Sequence, residues 1–357
     1  MLVNFGCTLP PALTASFVGR KLGPVCLNGF SLGMLTGNLL TLSVIQGLFT
    51  ASDTLSPQAF GARNYGEVGR LAIRGFVLGL LLIVPMNLFL VAFMNPILVF
   101  FGQEDEPAML ATQWYRIYAV GLPFYTLYWS TWKFLAAQEI MGPLLVVLSV
   151  TCGIVLPVSL ELFIDWLGFL GSAVAMVFYF ATQSILLLLF LAWRQPHHRG
   201  TWNGLGAWRD AVAWEPMVAY FKLGAGGILS SSEWWYWEVL CLMIGSLGVL
   251  PLDIQTIPTQ VMAVGFMVPA GIGTALAVRL GANLASNPDR ARRLGLYAAV
   301  ASCGLFAVLS LFLYVFRHAI FSIFTNDTEI MEVRFDCMRL QRRFATNLFA
   351  LLTKTEL

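Results

Sequence analysis

Long apolar stretches separated by short polar segments dominate the chain. A run of about 20 apolar residues is long enough to cross the hydrocarbon core of a bilayer as a helix. Eight stretches reach this length. A ninth stretch, Leu2 to Gly19 at the start of the chain, is short for a span and contains Pro10 and Pro11. The pattern predicts an all-α polytopic membrane protein of about nine transmembrane helices. The eight longer stretches lie at residues 28–52, 72–95, 112–136, 143–164, 168–193, 217–247, 254–278 and 294–316.

The composition agrees with this interpretation. Hydrophobic residues make up 58% of the 357 positions and charged residues 11%, whereas soluble domains carry about 25% charged residues. This argues against a soluble enzyme. The net charge of +2 leaves no basic surface large enough for nucleic acid. The six cysteines are scattered singly, so they predict no metal site, and no cofactor is expected.

The distribution of basic residues predicts the orientation. When the stretches are numbered from the opening one and basic residues near their ends are counted with the adjoining segments, the segments after even-numbered stretches hold 12 Lys and Arg, and those after odd-numbered stretches hold 4 up to residue 317. Basic residues near the ends of spans stay on the cytoplasmic side. The segments after even-numbered spans are therefore expected to face the cytoplasm, in a plasma membrane or in a vacuolar or other internal membrane.

Two parts of the chain repeat each other. The sequence Gly-Leu-Phe-Thr-Ala, which begins at Gly47, is repeated 224 residues later as Gly-Ile-Gly-Thr-Ala from Gly271. Gly61-Ala62 is repeated 220 residues later as Gly281-Ala282. Six spans separate the copies, so the repeat is parallel, as in many transporters. The predicted organisation is an N-terminal lobe of six helices (1–193), a cytoplasmic linker (194–216), a partial C-terminal lobe of three helices (217–333) and an atypical polar tail (334–357).

Three short motifs, in order along the chain, carry a family resemblance. Asp53-Thr54-Leu55, followed by Gln58 and by Phe60-Gly61-Ala62, is similar to the second-helix signature of the multidrug and toxic compound extrusion family of secondary transporters. Val278-Arg279-Leu280-Gly281 resembles the related motif after the eighth helix of that family. The run from Glu233 to Glu238, Glu-Trp-Trp-Tyr-Trp-Glu, resembles the acidic and aromatic element of the eukaryotic branch.

The resemblance implies a function and an architecture. It implies an antiporter that exports organic cations or toxic compounds in exchange for protons, or for sodium, through a cavity between two six-helix lobes by alternating access. Compared with the family pattern, the chain is expected to be truncated at both ends, because its first helix is short and helices ten to twelve are absent. The expected partners are a small organic cation, the coupling ion and the lipid bilayer.

Glu233 and Glu238 are the strongest candidates for the coupling chemistry. Each lies in an apolar span, where a charge costs roughly 2.5 to 3.5 kcal/mol on insertion scales. Apolar surroundings favour the protonated acid, and a proton and a cation cannot occupy one carboxylate together. One site can therefore couple the two fluxes, and our hypothesis is that Glu233 is this site. Glu238 is rotated by about 140° from Glu233, while Trp237 shares the face of Glu233.

Aromatic and polar neighbours extend this candidate site. Trp234, Tyr236 and Trp237 are candidates for cation–π contact with an organic cation, or they face lipid or pack against other helices. A second group, Asp53 with Gln58, Arg63 and Arg279, belongs to the repeated motifs at span ends. Asp53 is expected either to be a helix-end carboxylate paired with a basic loop residue, with Arg63 nearby, or to belong to a gating ion pair on the cytoplasmic side.

Two other functions stay open at this stage. The chain is alternatively an inactive or interaction-only fragment of such a transporter, or a flippase for lipid-linked oligosaccharides. Flippase cavities tend to be strongly cationic in order to hold a pyrophosphate, whereas the ionisable groups inside these spans are mainly acidic, which favours an organic cation. His197 and His198 are expected in a solvated loop rather than at a metal.

Smaller features have structural predictions. Glu161, close to Asp165, is expected at the solvated outer end of its span. Glycines spaced by four residues form flat helix faces that permit close packing in a membrane; they are Gly29, Gly33 and Gly37, and Gly75 and Gly79.

Overall fold

The described part of the chain is helical. A computed structural model describes residues 2–202, 204, 208–245, 271–273, 275–284 and 288–316, and these residues form no β-strand. Two of the helices each contain one π-helical turn, at Asn38–Leu42 and at Thr151–Val155. The helices are α1 (Leu2–Leu22), α2 (Pro24–Gly37 continued by Ser43–Gly61), α3 (Tyr65–Phe100), α4 (Asp105–Ala136), α5 (Gly142–Val150 continued by Leu156–Leu167), α6 (Phe169–Arg194), α7 (Trp214–Gly245), α8 (271–284, with 274 not described) and α9 (Pro288–Val315).

The prediction of an all-α membrane protein is confirmed. Within the described residues, four helices are long and apolar enough to cross a membrane, and they correspond to the second, third, fifth and sixth predicted spans. Most of the stretch 254–278 lies outside the described residues, so the count of nine spans stays a prediction. The four helices are Val25–Gly61, Tyr65–Phe100, Gly142–Leu167 and Phe169–Arg194.

Helix α4 forms the centre of the first six helices. It packs along α2, α3 and α6, and its fully buried side chains include Trp114, Tyr115, Tyr118 and Tyr128. Most residues of α4 are buried, and α4 carries more aromatic side chains than these neighbours. The Nε1 atom of Trp114 donates a hydrogen bond to Ser172 Oγ of α6 at 3.0 Å.

The glycine faces predicted from the sequence are packing faces. Gly33 and Gly37 lie against α4, where an added Cβ would come within 3.0 Å of the rings of Trp114 and Tyr115. On α3, a Cβ at Gly75 would lie 2.7 Å from the hydroxyl of Tyr220, and one at Gly79 would lie 2.5 Å from Thr126. Glycine is the residue that allows each approach.

The segments with many basic residues gather at one end of the helices, as their distribution predicts. Arg74, near the start of α3, donates to the carbonyl of Ala211 in the linker, and Gln138, after α4, accepts from the backbone N–H of His198. Arg279 of α8 lies 4.0 Å from Glu139 in the same region. This end is called the basic end below.

The chain divides into two compact units, of residues 1–236 with 267–298 and of residues 237–266 with 299–357. All contacts used below lie within the first unit. Much of the second unit lies outside the described residues, so the lobe boundaries inferred from the sequence stay a prediction.

Candidate functional site

Helix α7 packs closely against α2 through small residues. A Cβ at Gly47 of α2 would lie 2.5 Å from the Cα of Ile228, and one at Gly224 of α7 would lie 2.8 Å from Leu48. Toward the basic end, Ser52 Oγ and Tyr220 Oη are hydrogen bonded at 2.6 Å. The two backbones are therefore almost in contact along this seam.

The aromatic run of α7 continues along the same seam. Trp235 Nε1 donates to Ser43 Oγ at 2.8 Å, and Ser43 Oγ donates in turn to the carbonyl of Leu39, which lies in the π-helical turn of α2. Trp235 therefore packs against α2. Tyr236 is 62% exposed.

Glu233 and Glu238, the two candidate carboxylate residues, lie within helix α7. The side chains of Glu233, Trp234, Trp237 and Glu238 lie outside the described part of the structure. At about 100° per residue, position 233 is rotated by about 160° from position 235, which touches α2, while position 238 is rotated by about 60° from it. The two positions therefore differ in their relation to α2.

The acidic residues of the first six helices are paired with basic residues or lie at helix ends and in turns. Glu67 pairs with Arg70 and Arg74 near the start of α3. Glu161 and Asp165 both contact Lys21 and have side chains that are 55% and 58% exposed, as expected for the end of a span. The others are Asp53, described next, and the residues at helix ends and in turns, Glu104, Asp105, Glu106 and Glu139.

Asp53 forms a largely buried ion pair with Lys133. Lys133 Nζ lies 2.7 Å and 2.8 Å from the two carboxylate oxygens of Asp53, and its side chain is only 8% exposed. The ammonium also lies 5.1 Å from the ring centres of Trp129 and Trp132. The carboxylate and two indole faces together compensate for the loss of hydration of the lysine.

The partner of Asp53 was not identified from the sequence. The partner is Lys133 of α4 and not Arg63, which is exposed and follows α2 at a φ of 60°. Ten residues separate Asp53 from Arg63, or about 15 Å along a helix, which is too far for a pair on the same helix. In the sequence, Lys133 is notable as a charged residue at the end of an aromatic-rich span. Its pairing with Asp53 depends on how the helices pack, which a single sequence does not give.

A cavity of about 480 Å³ lies beside this ion pair at the basic end. Asp53, Thr54 and Gln58 of α2 line one side, and residues of α8 and α9, including Leu280 and Arg292, line the other. Gln58 thus lies where the repeated motifs meet. Arg279 forms only a long pair with Glu139, and both side chains are more than 60% exposed.

The two copies of the repeat contact each other beside this cavity. A Cβ at Gly61 would overlap the carbonyl oxygen of Ala282, and a Cβ at Gly281 would lie 2.9 Å from Pro57. Gly61 and Gly281 are equivalent positions of the repeat, and each is a point of close approach between α2 and α8. It holds α2 and α8 together at the basic end.

The linker histidines contact residues of α3 and α4. His198 stacks on Tyr65 with ring centres 4.0 Å apart, and its Nδ1 accepts from the backbone N–H of Gly200. His197 lies edge-on to Phe134, and burial lowers its pKa. The loop therefore packs onto α3 and α4, because a short 3-10 turn, Arg199–Thr201, folds it back.

These features define a class: a helical integral membrane protein whose internal repeat meets across two helices. The MatE family model matches residues 1–160 and 228–340. The chain therefore belongs to the MatE family.

Curated relatives and solved structures agree with this assignment. Multidrug and toxin extrusion protein 1 of Rattus norvegicus is 30% identical over 328 residues, which cover 90% of this chain and 56% of that protein. The Homo sapiens protein of the same name is 30% identical over 339 residues, 93% of this chain and 58% of that protein. The chain spans about half the length of these relatives.

The fold matches that of known transporters. The crystal structure of the eukaryotic MATE transporter AtDTX14 superposes with a TM-score of 0.83 at 22% identity, covering 93% of this chain and 74% of that one. The crystal structure of MATE in the bent conformation gives 0.80 at 16% identity, with 94% and 75% covered. These matches show the fold.

Proposed function

We propose that the chain is a secondary active antiporter that exports organic cations in exchange for protons, with Glu233 as the site that the two share. The relatives named above are multidrug and toxin extrusion proteins, which supports export of small molecules. The single observation that carries the coupling role is the presence of a carboxylic acid inside the apolar helix α7.

The pairing of the other carboxylates supports this choice. Asp53 has a lysine partner, and Glu161 and Asp165 share an exposed one. A carboxylate that is already paired with a fixed cation gains little from binding a mobile one. An acid in an apolar span without such a partner on its own helix is suited to alternate between a proton and a cation. The neighbouring residues of α7 between positions 230 and 245 include no Lys or Arg.

Helical position supports Glu233 over Glu238 as the shared site. Position 238 is on the side of α7 that includes the α2 contact at Trp235, whereas position 233 is on the opposite side. The seam between α7 and α2 is filled by Gly47, Ile228 and Trp235, and a tight seam leaves no room for an organic cation. In this proposal three residues provide aromatic surface for the cation. They are Trp237, on the face of Glu233, the exposed Tyr236, and Trp234.

The contact between α2 and α8 supports alternating access. Two helices that touch at Gly61 and Gly281 close the route between them at the basic end. Export then requires this contact to separate so that the cation enters from the basic end, and to re-form before release at the other end. Asp53 and Gln58 line the cavity at this contact, so in our proposal they act in the gate, together with Arg279.

The test is efflux from vesicles that contain the purified 357-residue chain. The vesicles are loaded with a fluorescent organic cation, and a pH gradient is imposed across the membrane. We expect gradient-driven efflux from the wild type and from Glu161→Gln, a matched loss of one carboxylate at an exposed pair. We expect Glu233→Gln to lose efflux, and Glu238→Gln to retain a measurable part of it.

Two results would contradict the proposal. Equal gradient-driven efflux from the wild type and Glu233→Gln would remove Glu233 from the coupling mechanism. No efflux from the wild type, with the chain correctly inserted, would argue that this chain alone does not transport and would favour an interaction role with a longer relative.

A further inference from the structure

A second cavity lies at the basic end, apart from the contact between α2 and α8. Its volume is about 720 Å³, within the range of about 300 to 1,000 Å³ that is usual for sites of small ligands. Helices α3 and α6 both pack along α4, and the cavity lies between their ends and the linker. The transport route proposed above does not use it.

The walls of this cavity are mostly apolar, and two arginines also line it. Side chains from three helices form the walls, among them Phe76 of α3, Leu127 of α4 and Leu188 of α6. The arginines are Arg194, in the last turn of α6, and Arg199, in the linker, and because both are exposed they mark the mouth of the cavity. Among the lining residues in the described part of the chain, none is acidic.

Exposed tryptophans near the cavity indicate that its mouth is close to the membrane interface. Trp193 and Trp208 are 79% and 40% exposed, and tryptophan is enriched where the hydrocarbon meets the headgroups. The outer face of α6 continues the apolar surface past the mouth, with Ile185 and Leu189 50% and 59% exposed. An acyl chain in the cavity can therefore continue along α6 into the bilayer.

One further polar residue lines the cavity. This is His197, whose Nδ1 is buried with no hydrogen-bond partner among the described residues.

We propose that this cavity binds an anionic phospholipid, with an acyl chain between α3, α4 and α6 and the phosphate between Arg194 and Arg199. The pairing of an apolar slot with two guanidinium groups matches a lipid of this kind better than a neutral ligand, because arginine binds phosphate through paired hydrogen bonds. The basic end is predicted to face the cytoplasm, whose leaflet holds the anionic lipids. This proposal does not depend on transport by the chain.

The test measures binding of phosphatidylserine and phosphatidylcholine with identical acyl chains to the full chain in neutral detergent. The test variant combines Arg194→Gln with Arg199→Gln. The control variant combines Lys222→Gln with Arg293→Gln, which removes two exposed charges elsewhere. An arginine near an anionic headgroup contributes about fivefold in affinity. We expect the wild type and the control variant to bind phosphatidylserine about tenfold or more tightly than phosphatidylcholine. The variant with Arg194→Gln and Arg199→Gln should lose this preference.

A second variant tests the acyl slot without removing a charge. Ala192 lines the cavity from an exposed helix position, so Ala192→Trp fills the cavity with little effect on folding. We expect it to weaken binding of both lipids. Inorganic phosphate and glycerophosphoserine, which have no acyl chain, are expected to bind much more weakly than the lipid.

Three results would overturn the proposal. Equal binding of the two lipids by the wild type would remove the charge recognition. An unchanged preference in the Arg194 and Arg199 variant would place the lipid elsewhere. Binding of inorganic phosphate as tight as that of phosphatidylserine would make this a site for free anions.

Discussion

Lys133 Nζ and the Asp53 carboxylate form a two-contact ion pair, at 2.7 and 2.8 Å, that joins α4 to α2. The lysine side chain is 8% exposed and the aspartate side chain 24%. The pair lies beside the cavity at which the two copies of the repeat meet. It therefore fixes the part of α2 that the proposed gate uses.

Loss of the Asp53 charge should destabilise the protein, because it leaves the buried lysine without its counter-charge. We expect Asp53→Asn to lower the free energy of unfolding by about 3 kcal/mol, the low end of the range for buried pairs, since Asp53 is partly exposed. Adding Lys133→Met removes the stranded charge and should recover most of the loss. Glu161→Gln, at an exposed pair, should cost about 1 kcal/mol or less. Equal effects of Asp53→Asn and Glu161→Gln would contradict this account.

Adjacent glycines of α7 offer a matched test of the seam with α2. A Cβ at Gly227 would overlap Thr50 Oγ1 and the carbonyl oxygen of Gly47, whereas one at Gly226 would meet nothing within 4 Å. We expect Gly227→Ala to destabilise the protein by about 1 to 3 kcal/mol through overpacking. Gly226→Ala should be neutral or stabilise by up to about 1 kcal/mol through helix propensity. Thermal unfolding in detergent measures both; equal shifts would contradict the packing described here.

The contact between α2 and α8 should control access to the cavity beside Asp53. Gly61→Ala places a methyl group against the backbone of Ala282, so we expect it to shift the population toward the separated state. A cysteine introduced at Thr54, which lines the cavity, should then react several-fold faster with a water-soluble thiol reagent added at the basic end. Gly226→Ala in the same background is the control and should leave the rate unchanged. A slower or unchanged reaction with Gly61→Ala would argue against a gate here.

His197 should make the stability of the linker depend on pH. Burial lowers the pKa of His197 below its ordinary value of 6.5, so the unfolded chain binds the proton more readily than the folded one. The contribution of neutral His197 is therefore complete above about pH 6.5 and is lost as the pH falls below that value. We expect the melting temperature of the wild type to fall more than that of His197→Gln between pH 7.5 and pH 5.5 in lipid-free detergent. Parallel falls in the two proteins would contradict this prediction.

Much of the fold was predictable because an apolar stretch that crosses a bilayer must satisfy its backbone hydrogen bonds within itself, as a helix does. The second, third, fifth and sixth spans were found from apolar length alone. The helices extend beyond the apolar stretches, for example to Tyr65–Phe100 where 72–95 was predicted, because backbone hydrogen bonding continues into the polar ends. The packing role of Gly33 and Gly37 also followed from spacing, since residues four apart share a helix face.

The site was predictable only in part, because a single sequence gives the residue types and not the contacts between distant helices. Asp53 and Gln58 were identified from a repeated motif, but the partner of Asp53, 80 residues away, was not. The hydrogen bond between Trp235 and Ser43 likewise joins residues 192 positions apart. The roles of Glu233 and Glu238 stay a prediction, as do those of Trp234 and Trp237.

The central claim is that a proton and an organic cation compete for Glu233. The most direct measurement is proton release when the fluorescent cation ethidium is added to the purified chain in weakly buffered detergent near pH 7. We predict release of about one proton for each cation bound by the wild type and no release from Glu233→Gln. Cation binding by the wild type without proton release, or the same release from Glu233→Gln, would contradict the account.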